Sequence, residues 1–161
     1  MKFRLLFLVV SCLYLSACAS TVEEKPKPKP KVTMSSSCLD YAVKNGEQVS
    51  GFKSVYYDKN SDIPLDNLDS NMSCIVTYLA NHPSKRIEVQ GFTDDTGSLA
   101  YNQALAQRRA QGLVEHLVLL GASPSQLQAS FRTLEKQADK PSLTKEQRAK
   151  HRRVDFFVIE G

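Results

Sequence analysis

Histidine and cysteine are scarce in this 161-residue chain: three histidines (His82, His116, His151) and four cysteines (Cys12, Cys18, Cys38, Cys74). None stands at the spacing a metal ion needs, so no metal site is readable and no cofactor is implied. The chain also lacks a long basic helix. With 21 Lys and Arg against 17 Asp and Glu it carries +4, too balanced to argue for nucleic acid as a partner. No serine or cysteine nucleophile with a placed histidine is recognisable. The apolar run at residues 5–15 is too short to span a bilayer.

That run has another use. Lys2 and Arg4 precede it, and Leu15-Ser16-Ala17-Cys18 follows. Basic start, short apolar stretch and small residues make a processing signal rather than part of a fold. The tetrapeptide matches the bacterial lipobox, which implies cleavage before Cys18 and acylation of its sulfur and new amine. Ala17-Cys18-Ala19 would also suit an ordinary secretory cleavage. Residues 1–17 are read as a lipoprotein signal peptide, and their loss lowers the net charge from +4 to +2. Two or three acyl chains anchor stably where one is marginal. By resemblance to enterobacterial lipoproteins, Ala19 in place of Asp implies sorting to the outer membrane.

Residues 18–36 then read as a tether. Lys25-Pro26-Lys27-Pro28-Lys29-Pro30-Lys31 can form neither helix nor core strand and favours extended polyproline II. About eighteen such residues reach on the order of 50 Å. The segment is an inert spacer or a polyproline ligand. Of the cysteines left after processing, Cys38 and Cys74 are expected to form a disulfide, as a leftover pair in an exported protein usually does. It would staple the domain's N-terminal extension, residues 37–51, onto the first helix.

Beyond it the pattern alternates between strand and helix. Val55-Tyr56-Tyr57 is β-prone. Leu68, Met72, Ile75, Val76 and Leu79 recur at helical spacing, with Asp66 or Asn67 as the N-cap, and Pro83 stops that helix. Arg86-Ile87-Glu88-Val89-Gln90 alternates as a half-buried strand. Ser98 caps a long helix running to about Leu120. A weak strand lies within 127–134, a short helix begins near Thr144, and 154–159 is the strongest strand. The expected fold is α+β, β-α-β-α-β-(short α)-β, with helices packed on a small mixed four-stranded sheet.

Three motifs carry the functional reading: Gly91-Phe92-Thr93-Asp94-Asp95-Thr96-Gly97, then Tyr101-Asn102 through Leu105 to Arg108-Arg109-Ala110, then Arg148-Ala149-Lys150-His151-Arg152-Arg153-Val154. Together they resemble the OmpA-like peptidoglycan-binding domain, over residues 52–161. The resemblance implies a non-enzymatic lipoprotein of the outer membrane, facing the periplasm, with peptidoglycan as its partner and the lipid bilayer as its anchor through Cys18. It assigns Asp94 and Arg109 to the diaminopimelate of the stem peptide, with Thr93 and Asn102 beside them. Phe92, Asp95, Leu105 and Arg153 are supporting residues, Arg153 as a partner of the loop carboxylates; Tyr101 packs and Arg108 faces solvent. The sequence departs from the family pattern at Phe92, where His is usual, at His151, where Asn is usual, and at Gln147, where Gly is usual. A Gly-x-Gly-Glu turn is also missing from residues 130–135.

The residues themselves support part of this. Arg109 falls on the apolar stripe of Leu105, Leu113 and Leu117, and a buried guanidinium needs partners. One fixed cation and one fixed anion beside a helix N-terminus suit a small zwitterion. An internal Asp94–Arg109 salt bridge that orients the loop is the equal alternative. Asp95-Thr96-Gly97-Ser98 matches the aspartic-protease tetrapeptide, but those enzymes need two facing copies and one is present. Segment 38–52 is either a partner-binding surface, as in an adaptor of a secretion, flagellar or Tol-like envelope complex, or a strand and helix pinned by the disulfide. Replacing Cys18 with serine is expected to abolish incorporation of an alkyne-palmitate label and to release the chain from the membrane fraction; a labelled, membrane-bound serine variant would refute the lipobox.

Overall fold

The structure, a computed structural model, describes residues 34–134 and 142–161. The expected signal peptide, Cys18 and the tether up to residue 33 lie outside the described residues.

A short 3₁₀ turn, Ser36–Asp40, leads into β1 (Ala42–Asn45), which reverses at Gly46 into β2 (Gln48–Tyr56). The helix α1 (Asp69–Asn81) follows, then β3 (Lys85–Phe92), the long helix α2 (Leu99–Leu119), β4 (Leu127–Arg132), the short helix α3 (Lys145–His151) and β5 (Arg153–Glu160). The sheet order is β1-β2-β5-β3-β4. The last strand in sequence is therefore the middle of the sheet, antiparallel to β2 and β3, while β3 and β4 run parallel across α2.

The α+β class and the order of elements agree with the sequence reading, but the sheet has five strands instead of four. The added strand is β1, in the extension 37–51, and β2 begins at Gln48 rather than near Val55. β1 is an edge strand, and the start of β2 that pairs with it has mixed burial, so neither shows the clean period-2 apolar pattern that marks a half-buried strand. Segment 38–52 folds as part of a 3₁₀ turn and a pair of strands, where a strand and helix was the structural expectation. Its turn is fixed by the disulfide Cys38–Cys74, with Cα atoms 5.3 Å apart and the two cysteines 36 positions apart in sequence.

Helix starts follow from side-chain oxygens. Ser98 accepts the Tyr101 N–H at 3.3 Å. Thr144 and Gln147 form a reciprocal capping box, two orphan donors satisfied at once; the residue standing where Gly is usual is thereby put to use. At α1 the cap position is Leu68, not Asp66 or Asn67, but the Asn67 side chain still accepts the Asp69 N–H at 2.9 Å.

The core lies between the helices and one face of the sheet. Met72, Ile75 and Leu79 of α1 and Leu113 and Leu117 of α2 pack with Phe52, Val55, Ile87, Val89, Val154 and Phe156. The opposite face of the sheet carries polar pairs: Gln90 bonds Ser130 and Glu88, and Ser54 donates to Asp155, beside the exposed Phe157. At Gly91 a Cβ would lie 2.1 Å from the Ala106 carbonyl oxygen. Only glycine lets β3 run against the backbone of α2 there, and this closeness brings the end of β3 within reach of Arg109. Replacing Cys38 and Cys74 together with serine is expected to lower stability by roughly 3–4 kcal/mol, read from denaturant midpoints; a change below about 0.5 kcal/mol would show that the staple does not constrain the unfolded chain.

Candidate functional site

Arg109 is 1 % exposed, on the core-facing stripe of α2. Burial pushes its guanidinium down from the usual arginine range, yet arginine stays protonated in proteins. Its charge is met by backbone. Nε donates to the Ser61 carbonyl at 2.8 Å, one terminal nitrogen to the Phe92 carbonyl at 3.0 Å and the other to the Asp58 carbonyl at 3.0 Å. The Tyr57 ring lies beneath it, 4.6 Å from Cζ. Each hydrogen bond to a charged group contributes roughly 1.5–3 kcal/mol. Three of them, with a desolvated cation–π contact of about 2 kcal/mol, offset the several kcal/mol of burying the ion. Asn60, with φ 58°, makes the turn that aims the carbonyls on either side of it inward; asparagine tolerates that left-handed conformation.

Asp94 is 4 % exposed. Burial alone would push its carboxyl up, but the hydrogen bonds from the Thr96 hydroxyl and amide, and the Arg152 guanidinium, outweigh it and hold the group below the usual aspartate range. Oδ1 accepts from the Thr96 hydroxyl at 2.5 Å and the Thr96 amide at 2.9 Å; Oδ2 accepts from Arg152 at 3.2 Å. Asp94 and Arg109 therefore do not form the salt bridge that was the equal alternative. They line the same small recess, a cavity of about 10 Å³, together with Thr93, Asn102, Leu105, Arg152, Lys59 and Asn60.

Asn102 is buried and its amide donates to the carbonyls of Asp94 and Thr96, pinning the loop to α2. Leu105 is buried as part of the recess wall. The Thr93 hydroxyl is buried without a hydrogen-bond partner, an unusual cost for a polar group. Asp95 is claimed by Arg148, at 2.6 Å, which holds its carboxyl below the usual range. With Ser98 capping α2, the protease-like tetrapeptide is fully occupied by structural contacts.

Several expectations are corrected. Arg153 does not partner the loop carboxylates. It pairs with Asp155 and lies over the Phe92 ring, 4.3 Å from its centroid. Arg152, one residue earlier, takes Asp94 instead and also donates to the Tyr57 carbonyl; neighbouring side chains entering a strand point to opposite faces. Phe92 thus contributes its carbonyl to Arg109 and its ring to Arg153. Tyr101 is exposed rather than packed and borders a second hollow with Lys59, Asn60, Thr96, Gly97 and Ser98. Arg108 is exposed, and pairs with Asp62. Reading the sequence missed Arg152, Arg148, Tyr57 and Lys59. For the two arginines the signal was present, since three lie within 148–153 around a helix–strand junction; for Tyr57 and Lys59 no local pattern existed.

Residues 56–152, more than half of the chain, match the model of the OmpA family. The chain belongs to that family. The OmpA-family domain is 33 % identical over 105 residues to outer membrane porin F of Pseudomonas fluorescens, covering 65 % of this chain and 32 % of that one. It is 37 % identical over 80 residues to the peptidoglycan-associated lipoprotein of Legionella pneumophila, covering 50 % and 45 %. The chain thus spans less than half the length of these curated relatives. Among solved structures it resembles the peptidoglycan-associated lipoprotein of Burkholderia pseudomallei, with a TM-score of 0.57, 33 % identity and coverage of 66 % and 89 %. The C-terminal domain of Helicobacter pylori MotB is similar as well, with a TM-score of 0.55, 28 % identity and coverage of 69 % and 87 %.

Asp94 and Asp95 both titrate below their ordinary value in the folded OmpA-family domain. Their contribution to stability is present above about pH 4, the unfolded value, and is lost as pH falls through the lower folded values. Denaturant melts between pH 7 and pH 2 should show this acid limb, and Asp95→Asn should flatten it; an unchanged limb in the variant would exclude Asp95 as a contributor.

Proposed function

We propose that this chain is a non-enzymatic outer-membrane lipoprotein whose domain binds peptidoglycan without a covalent bond, through the diaminopimelate of the stem peptide. The observation that carries the reading is the buried Arg109. Three of its five N–H groups are used on carbonyls, and among the described residues no carboxylate lies within ion-pair distance of it. One N–H on each terminal nitrogen remains for a carboxylate, a geometry suited to bidentate pairing. Asp94 lies across the recess where the ammonium end of the same ligand would sit. The Thr93 hydroxyl supplies a further polar contact, and Asn102 holds the loop in place.

Support also comes from relatives named peptidoglycan-associated lipoprotein and outer membrane porin F. In this reading residues 1–17 are removed, Cys18 is acylated and residues 18–36 tether the domain, in the periplasm, to the outer membrane. An adaptor role in a larger envelope complex is the second reading. Leu39 and Val43, exposed on the disulfide-pinned extension, and the likeness to MotB favour it.

Sedimentation with purified diaminopimelate-type sacculi tests the first reading. The soluble segment 37–161 is expected to pellet, while Asp94→Ala and Arg109→Glu, checked for folding by circular dichroism, stay in the supernatant. Thr93→Val, which removes a hydroxyl with no partner, should bind about fivefold more weakly, close to 1 kcal/mol. Wild type left in the supernatant would overturn wall binding and turn attention to proteins captured by the extension.

A further inference from the structure

The two edges of the sheet are not alike. β1 is four residues long, its register shifts between Val43 and Lys44, and Lys44 is exposed on it. Short length, a bulge and a lysine are the devices that keep a sheet edge from pairing with another chain. β4, at the other edge, has none of them. It runs six residues in unbroken register with β3, without proline, and its one charge, Arg132, stands at its end. Among the described residues no strand pairs with its outer side, so a row of backbone donors and acceptors there has no ladder partner. Beside it lies a groove of about 370 Å³, lined by Gln107 and Gln111 of α2 and Ala129, Ser130 and Phe131 of β4. The Phe131 ring is left 41 % exposed. No lining residue is charged, in a chain of which 24 % is charged, so covering the groove desolvates no ion.

The order of residues along β4 selects the occupant. A two-fold axis perpendicular to the sheet joins identical edges as an antiparallel pair, and the side chains that meet share a face. With the axis at Ser130, Phe131 meets Ala129 of the second copy, a ring against a methyl, twice by symmetry. On the other face Ser130 bonds Glu88 and Gln128 bonds Arg86. There Ser130 meets its own counterpart and Arg132 meets Gln128 of the second copy. No charge faces its like. The chain's own Lys-Pro tether does not fit the edge, because proline has no N–H for a ladder.

We infer that β4 is the contact between two copies of this chain, which join there into one antiparallel sheet through residues 128–132. The pairing uses far fewer residues than the roughly 20–30 a side of a standard interface. It therefore holds where copies are concentrated, as on a membrane surface, and comes apart on dilution. Because the joined strands run in opposite directions, the two recesses, each past the end of β3, lie at opposite ends of the combined sheet.

The test expresses the full chain in bacteria, oxidises their membranes with copper phenanthroline and reads non-reducing gels. Wild type, with Cys38 bonded to Cys74, is the blank. Opposed Cα atoms of an antiparallel pair lie about 4.5–5.5 Å apart, within disulfide reach, and diagonal ones about 7–8 Å apart, beyond it. Ser130→Cys is therefore expected to give about tenfold more covalent dimer than Ala129→Cys, or than Val43→Cys on the opposite edge. Adding Gln128→Lys to Ser130→Cys sets a second cation opposite Arg132 and should lower the yield about threefold; adding Arg132→Glu as well should restore it. Both changes lie on the exposed face, away from the core, and circular dichroism checks the fold. No dimer from Ser130→Cys, equal yields at the three positions, or no recovery on the charge swap would overturn the inference. A Ser130→Cys adduct with a different protein would overturn the second copy as the occupant.

Discussion

One buried cation organises this domain. Arg109 sits on the core side of α2, and water is replaced around it by carbonyls of two loop residues and the last residue of β3. Leaving a buried charge unsatisfied would cost several kcal/mol, a sizeable part of the 5–15 kcal/mol by which small domains are stable. The loop at 58–61, the end of β3 and the helix are therefore obliged to keep the positions that satisfy it. The recess is a by-product of that obligation.

Around that centre the charges are distributed asymmetrically. Each acid of the loop after β3 is taken by an arginine from the α3–β5 junction: Asp94 by Arg152 and Asp95 by Arg148. These pairs cross more than fifty residues of sequence and fasten the loop to α3 and to the residue that joins α3 to β5. They also spend the negative charge of the loop, so that the cation on α2 is met by backbone carbonyls alone. Asp94 pairs with Arg152 and not with Arg109.

How much of this could be read from the chain depends on where the information is stored. α2 was legible from both ends, because a serine cap, a stripe of three leucines and a terminal glycine all agree. β3 and β5 were legible because they are buried on one face and alternate. β1 was not, since an edge strand with mostly exposed residues leaves no periodic trace. Arg109 was marked by its place on an apolar stripe, and Asp94 by its loop. What surrounds Arg109 was hidden, because its partners are peptide carbonyls, and a carbonyl has no letter in the sequence. Asn60 is the one hint, as asparagine is a residue that tolerates the left-handed turn required there. The exchange of roles between Arg152 and Arg153 turned on a one-residue difference in where β5 begins, below the resolution of pattern reading.

The position of the disulfide has a mechanical meaning. Cys38 lies just before β1, which forms the rim of the sheet and is hydrogen-bonded to β2 alone among the described strands. Tension applied at that end would, without the sulfur link, unzip β1 from β2 one hydrogen bond at a time, the weakest way to load a strand pair. With the link, the pull passes from Cys38 directly into α1 at Cys74, beside the fully buried Met72 and Ile75. The rim strand is shielded from strain, and the domain yields to traction only when its core does.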